Sequence, residues 1–116
     1  METEEKLEFI KQHDPESMER LKRLLERKTF LMDQNVYGER FTERQFDLVF
    51  APLLAASYER ARVLDALSGG DKTVYQIATA LSLDAARVFD HLKELMRRNL
   101  VEIVQFEERH PVFRKR

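Results

Sequence analysis

Residues 83–101 read LDAARVFDHLKELMRRNLV, and the side chains in them that could recognise another molecule fall at helical spacing. Arg87 carries a planar guanidinium fork, which matches paired acceptors such as guanine O6 and N7. Asp90 offers a carboxylate able to accept from the amino group of cytosine. Ala86 is small enough to let a partner come close. Turning each residue by about 100° around a helix axis sorts the rest. Ala85, Val88, Leu92, Leu95 and Asn99 point one way, with Phe89 and Met96 on one edge and Asp84 and His91 on the other. Ala86, Asp90, Lys93 and Arg97 form the outward line, flanked by Arg87, Glu94 and Arg98. One face must be buried and the other, mixed in sign, is left to bind. The same spacing puts Phe89 over the edge of the core and His91 in a structural role near the turn. Ion pairing of Asp90 with Lys93 or Arg87, and of Glu94 with Arg98, would make the outward line an ordinary solvated face.

Other chemistries lack their residues. The chain has no cysteine, which removes disulfides, thiol redox sensing and thiolate metal sites together. Its three histidines are scattered, so no metal site is expected. There is no Gly-rich phosphate loop, nucleophile elbow, HExxH or pair of carboxylates around a plausible pocket. Gly69-Gly70 reads as a helix stop. No catalytic residue, enzyme activity or cofactor is expected. The N-terminus METEEKLEF is acidic and lacks the basic start of a secretory signal. The longest mostly apolar run, FDLVFAPLLAASY, is interrupted by Asp47 and Pro52 and is too short to span a bilayer. A cytoplasmic protein with no membrane partner is the expectation.

The elements that must position the 83–101 stretch are well punctuated. A short helix is expected over 3–12, with Leu7 and Ile10 on one side. Asp14 caps a second helix whose first residue is Pro15 and which runs to about Met32. Met18, Leu21, Leu25 and Met32 form its apolar stripe, with Leu24 and Leu31 beside it. Lys28 interrupts any heptad, so a long coiled coil is not expected. DQNVYGER is a loop. Thr42 and Gln45 form a capping box that opens a third helix, which Pro52 should break or kink near Ala51. The chain then continues as helix to about Leu67. Thr73 and Gln76 form a second capping box, TVYQ, opening a short helix through Leu81. Asp84 caps the helix of the opening stretch, and Asn99 ends it in the left-handed region. LVEIVQF and VFRKR read as two strands around the turn EERHP. The predicted class is mainly α with a small β-hairpin: a winged helix-turn-helix preceded by N-terminal helices. Residues 1–41 are expected to form an N-terminal helical extension serving dimerisation, and 42–116 the winged helix-turn-helix domain.

From about Tyr58 to Arg114 the sequence resembles the winged helix-turn-helix superfamily in its ArsR-like and MarR-like branches. RVLDAL matches the packing helix, TVYQIATALSL the positioning helix and turn, ARVFDHLKELMRRNLVE the recognition helix running into a strand, and HPVFRKR the last strand of the wing. The resemblance departs from the metal-sensing members, which use thiolates or dense His/Asp clusters. Asn99 stands where glycine is usual. Many relatives continue past the wing into a dimerisation helix, so here the N-terminal half would supply that contact.

The resemblance implies a sequence-specific transcriptional regulator binding double-stranded DNA as a homodimer. Ala86, Arg87 and Asp90 would enter the major groove, with Lys93 and Arg97 following along the same helix. Thr73 and Gln76, and Arg109 and Arg114 from the wing, would contact phosphates. Met18, Leu21, Leu25 and Met32 would pack against the second copy. The charge balance pulls the other way. Residues 1–57 hold nine Lys/Arg and twelve Asp/Glu, and residues 58–116 eleven and nine. That is a weak basic footprint for a DNA binder, and Glu107 and Glu108 put two carboxylates at the wing tip. A winged-helix adaptor that binds a protein partner and no DNA is the alternative. Its sign would be duplex binding no tighter at low salt than at high.

Overall fold

The structure is a computed structural model that describes the backbone of residues 2–33 and 43–116 and the side chains of 2–28 and 43–116. Its elements are α1 (Thr3–His13), α2 (Pro15–Asp33), α3 (Glu43–Ser68), β1 (Lys72–Thr73), α4 (Val74–Leu81), α5 (Ala85–Arg97), β2 (Val101–Glu107) and β3 (His110–Lys115). Packing divides the chain into two compact units, Met1–Tyr58 and Glu59–Arg116, so the division falls inside α3.

In the first unit α1 packs on α2. Asp14 makes the corner between them: its carboxylate accepts from the Ser17 hydroxyl at 2.6 Å and the Ser17 amide at 3.4 Å, which caps α2 as its sequence position implies. Ile10, Leu21, Phe46, Phe50 and Leu54 are buried, and the Phe46 and Phe50 rings stack at 5.3 Å. The break expected at Pro52 does not occur, and α3 runs through it. Proline removes one intrahelical bond, but burial of Phe46, Phe50 and Leu54 along one face holds the turns on both sides in register. Thr42 of the capping box, residues 34–40 of the expected loop and the Met32 side chain lie outside the described residues.

The second unit is a winged helix-turn-helix. Val63, Leu64, Leu67, Ile77, Ala78, Val88, Leu92, Leu95, Val101 and Phe113 form one buried cluster. Its contributors from α5 recur at i, i+4 and i+7, the spacing read from the sequence. Both caps of the helix-turn-helix form. The Thr73 hydroxyl accepts from the Gln76 amide at 3.3 Å while the Gln76 side chain accepts from the Thr73 amide at 2.9 Å. Asp84 accepts from the Ala86 amide at 3.4 Å. Asn99 ends the α5 segment at φ 65°, and Ser82 makes the tight turn between α4 and α5 at φ 55°. The sheet holds one strand more than the expected hairpin: β1 pairs antiparallel with β3, and the order is β1-β3-β2. Two residues are too few to show a period of two, so β1 is invisible without its partner. Between Ile103 and Gln105 the register slips by one residue at Val104, a bulge at the base of the wing.

Candidate nucleic-acid interface

α5 is fixed from beneath by Val88, Leu92 and Leu95, all at 0% exposure. That anchoring leaves Ala86, Arg87, Asp90, Lys93 and Arg97 exposed, as the helical sorting requires. β2 and β3 then form the wing, whose turn consists of Glu108 and Arg109 at φ 49° and 72°. Both residues sit in the left-handed region, the geometry of a two-residue hairpin turn.

Arg87, Lys93, Arg97 and Arg114 along this surface are paired within the chain. Lys93 reaches Asp90 at 3.3 Å, so Asp90 presents a neutralised pair instead of a bare carboxylate. Glu94 accepts from Arg97, and the Arg97 guanidinium holds its carboxyl below the usual glutamate value. Arg114 donates two bonds to Asp71, at 3.2 and 2.9 Å. This fork lowers the Asp71 carboxyl and raises the guanidinium. Such exposed pairs are weak, about 0–1 kcal/mol, so a phosphate can displace the carboxylate from the cation. Thr73 is buried and its hydroxyl serves the capping box with Gln76. Its expected phosphate contact therefore competes with a structural task, whereas Gln76 is exposed.

Glu59 is the residue the sequence did not reveal. Its side chain is 13% exposed; one oxygen takes Arg87 at 2.7 Å and the other takes His91 Nε2 at 2.9 Å. Arg87 thus stands on a carboxylate from α3, with 57% of its own side chain still exposed. His91 fills the structural place expected of it. Because Glu59 lies on another helix, nothing in the local sequence around Arg87 signals the pair.

Phe89 departs from its expected place. It does not cover the core edge but is 41% exposed. Its ring lies in an open groove of about 430 Å³ lined by Val74, Tyr75, Ala85, Ala86, Phe89, His110 and Pro111. The core has no room left for it, since Val88 and Leu92 already close that layer at 0% exposure.

Residues 58–102 match the family model described as bacterial regulatory protein, arsR family. The matched span runs from the last residue of the first unit through α4, the turn and α5 into β2. The match covers the helix-turn-helix of the second unit and stops at the start of the wing. No curated protein and no solved structure matches the chain. Among the described residues, no group of three or more His, Cys, Asp or Glu is placed to hold a metal ion, and no helix is long and apolar enough to cross a membrane.

Proposed function

We propose that the chain is a cytoplasmic, sequence-specific DNA-binding regulator that acts as a homodimer. The observation that carries this is the outward face of α5, which stands beside the wing and lies within the residues that match the arsR family model. In this reading the N-terminal turns of α5 lie in the major groove, with Ala86, Arg87 and Asp90 nearest the base edges. Lys93 and Arg97 on α5, Gln76 on α4 and Arg109 and Arg114 in the wing meet phosphates. Arg87, pre-aimed by Glu59, is the guanine reader, and Asp90 accepts from cytosine while Lys93 offsets its charge. Binding is tested by titrating duplex DNA at several salt concentrations. Affinity that falls steeply with salt supports the reading, and affinity independent of salt rejects it.

The homodimer supplies two half-site readers for a two-fold operator. Apolar surface in the first unit supports it. Met18 and Leu25 are half-buried, although Leu21 is committed to its own chain's core. On α3, Leu48, Val49 and Leu53 are exposed at 69%, 49% and 49%.

A second reading, an adaptor that binds a protein and no DNA, draws on the exposure of Tyr75, Phe89 and Phe106 together with the pairing of most cations near α5. A duplex titration showing no binding at low salt would favour it.

A further inference from the structure

The groove around Phe89 is the part of the proposed interface that charge does not explain. Ala86 and Phe89 stand one helical turn apart on α5, and the Tyr75 and His110 rings close the far side edge to face at 5.2 Å. Pro111 belongs to the wing strand and Val74 to the first turn of α4. The groove therefore opens where the helix-turn-helix and the wing meet, beside the helix residues placed nearest the base edges. At its rim Lys93 holds its ammonium 5.2 Å from the centre of the Phe89 ring while paired with Asp90, and Arg109 immediately precedes His110. An apolar floor with cations at its edge suits a ligand that is apolar at one point and anionic around it. Duplex DNA offers that combination in the major groove, where the C5-methyl of thymine projects between two phosphate backbones.

We infer that the Ala86–Phe89 groove is a thymine-methyl site, so that the protein reads at least one A·T pair per half-site through apolar contact. The inference rests on the DNA-binding reading above and deepens it. Ala86 admits the base edge, and the Phe89 ring gives the methyl a flat surface to cover. Tyr75 and His110 wall the same groove. The contact complements Arg87, which reads by hydrogen bonds, and it costs no carboxylate or cation its partner.

The test uses the full chain and duplexes selected from a randomised pool at low salt. Thymines of a selected duplex are then replaced one at a time by uracil, which removes the methyl and leaves every hydrogen-bonding group. A methyl site predicts that affinity falls about fourfold at one thymine per half-site, the worth of one buried methyl group. In Phe89→Ala the same replacement should have no effect, and Phe89→Leu should restore part of it. Thermal melts identify any variant that fails to fold, and Phe89→Leu keeps the test open in that event. Selected duplexes that bind equally with thymine or uracil would overturn the methyl site while leaving DNA binding intact. Recovery of no duplex at all would overturn both, and would leave the groove to an apolar segment of a protein partner.

Discussion

Arg87 and Arg114 look alike in the sequence, and their partners make them different instruments. Glu59 holds Arg87 on α5 from below at 2.7 Å, so its fork is steered toward whatever enters beside α5. Replacing it, Arg87→Ala, should remove discrimination at one base pair, worth about 1–3 kcal/mol. Affinities for a set of duplexes differing at single positions would show this; equal weakening across the set would make Arg87 a phosphate contact. Arg114 is bound to Asp71 across the sheet edge and its effect is on pH. The Asp71 carboxyl is lowered mainly by that hydrogen bond. A depressed carboxyl stabilises the fold above its unfolded-state value and loses that contribution as pH falls through the folded value. Carboxyl NMR should therefore find Asp71 titrating below an ordinary aspartate, and Arg114→Ala should return it upward. An unchanged titration would mean that the fork does not persist in solution. Which side chains face outward on α5 was legible from spacing, because burial at 100° per residue is a local property. The partners were not, since Glu59 and Asp71 come from elsewhere in the fold and only tertiary packing brings them near.

Caps and turns were the most legible part of the elements, because each is fixed by a few neighbouring residues. Thr73 with Gln76, Asp84 and Asn99 all occupy the places their types imply. Pro52 does not end the helix, since its cost of about 3 kcal/mol is weighed against burial along the whole of α3. Thr73→Ala should lower stability by about 1 kcal/mol by removing one half of the capping box. Because the hydroxyl is engaged at home, the salt dependence of DNA binding should not change; a slope reduced by about one unit would restore Thr73 as a phosphate contact. The wing turn carries the opposite trade. Arg109 sits at φ 72°, a conformation that costs an L-residue about 1–2 kcal/mol. Glycine there should raise the melting temperature. If the strained arginine is kept for a phosphate, Arg109→Gly should at the same time weaken every duplex alike and reduce the salt slope by about one. A stabler variant with unaltered DNA binding would show that the tip does not touch the backbone.

At the scale of the molecule, the proposed homodimer needs an apolar surface that joins two copies. The sequence pointed to the α2 stripe, because an amphipathic helix must bury its stripe against something. The first unit already uses Leu21 for that purpose, which weakens the stripe as an intermolecular surface. Leu48, Val49 and Leu53 on α3 remain exposed, while Phe46, Phe50 and Leu54 are buried. Sequence alone could not choose between these faces, since α2 and α3 are both amphipathic and only the packed unit shows which face is spent. Sedimentation should give the wild-type chain twice the 13.8 kDa of a single copy. Leu53→Glu, which places a charge on exposed surface and should leave the melt intact, should then sediment as one copy. A single-copy mass for the wild type would end the dimer proposal, and dissociation by Leu25→Glu but not by Leu53→Glu would return the interface to α2. The proposed dimer would also set how the protein meets DNA. Two readers on a two-fold operator double the phosphates neutralised, so the monomeric variant should bind a half-site with a salt slope about half that of the wild type on the full site. An equal slope in the two would mean that one copy already makes every backbone contact, and that the second plays no part in recognition.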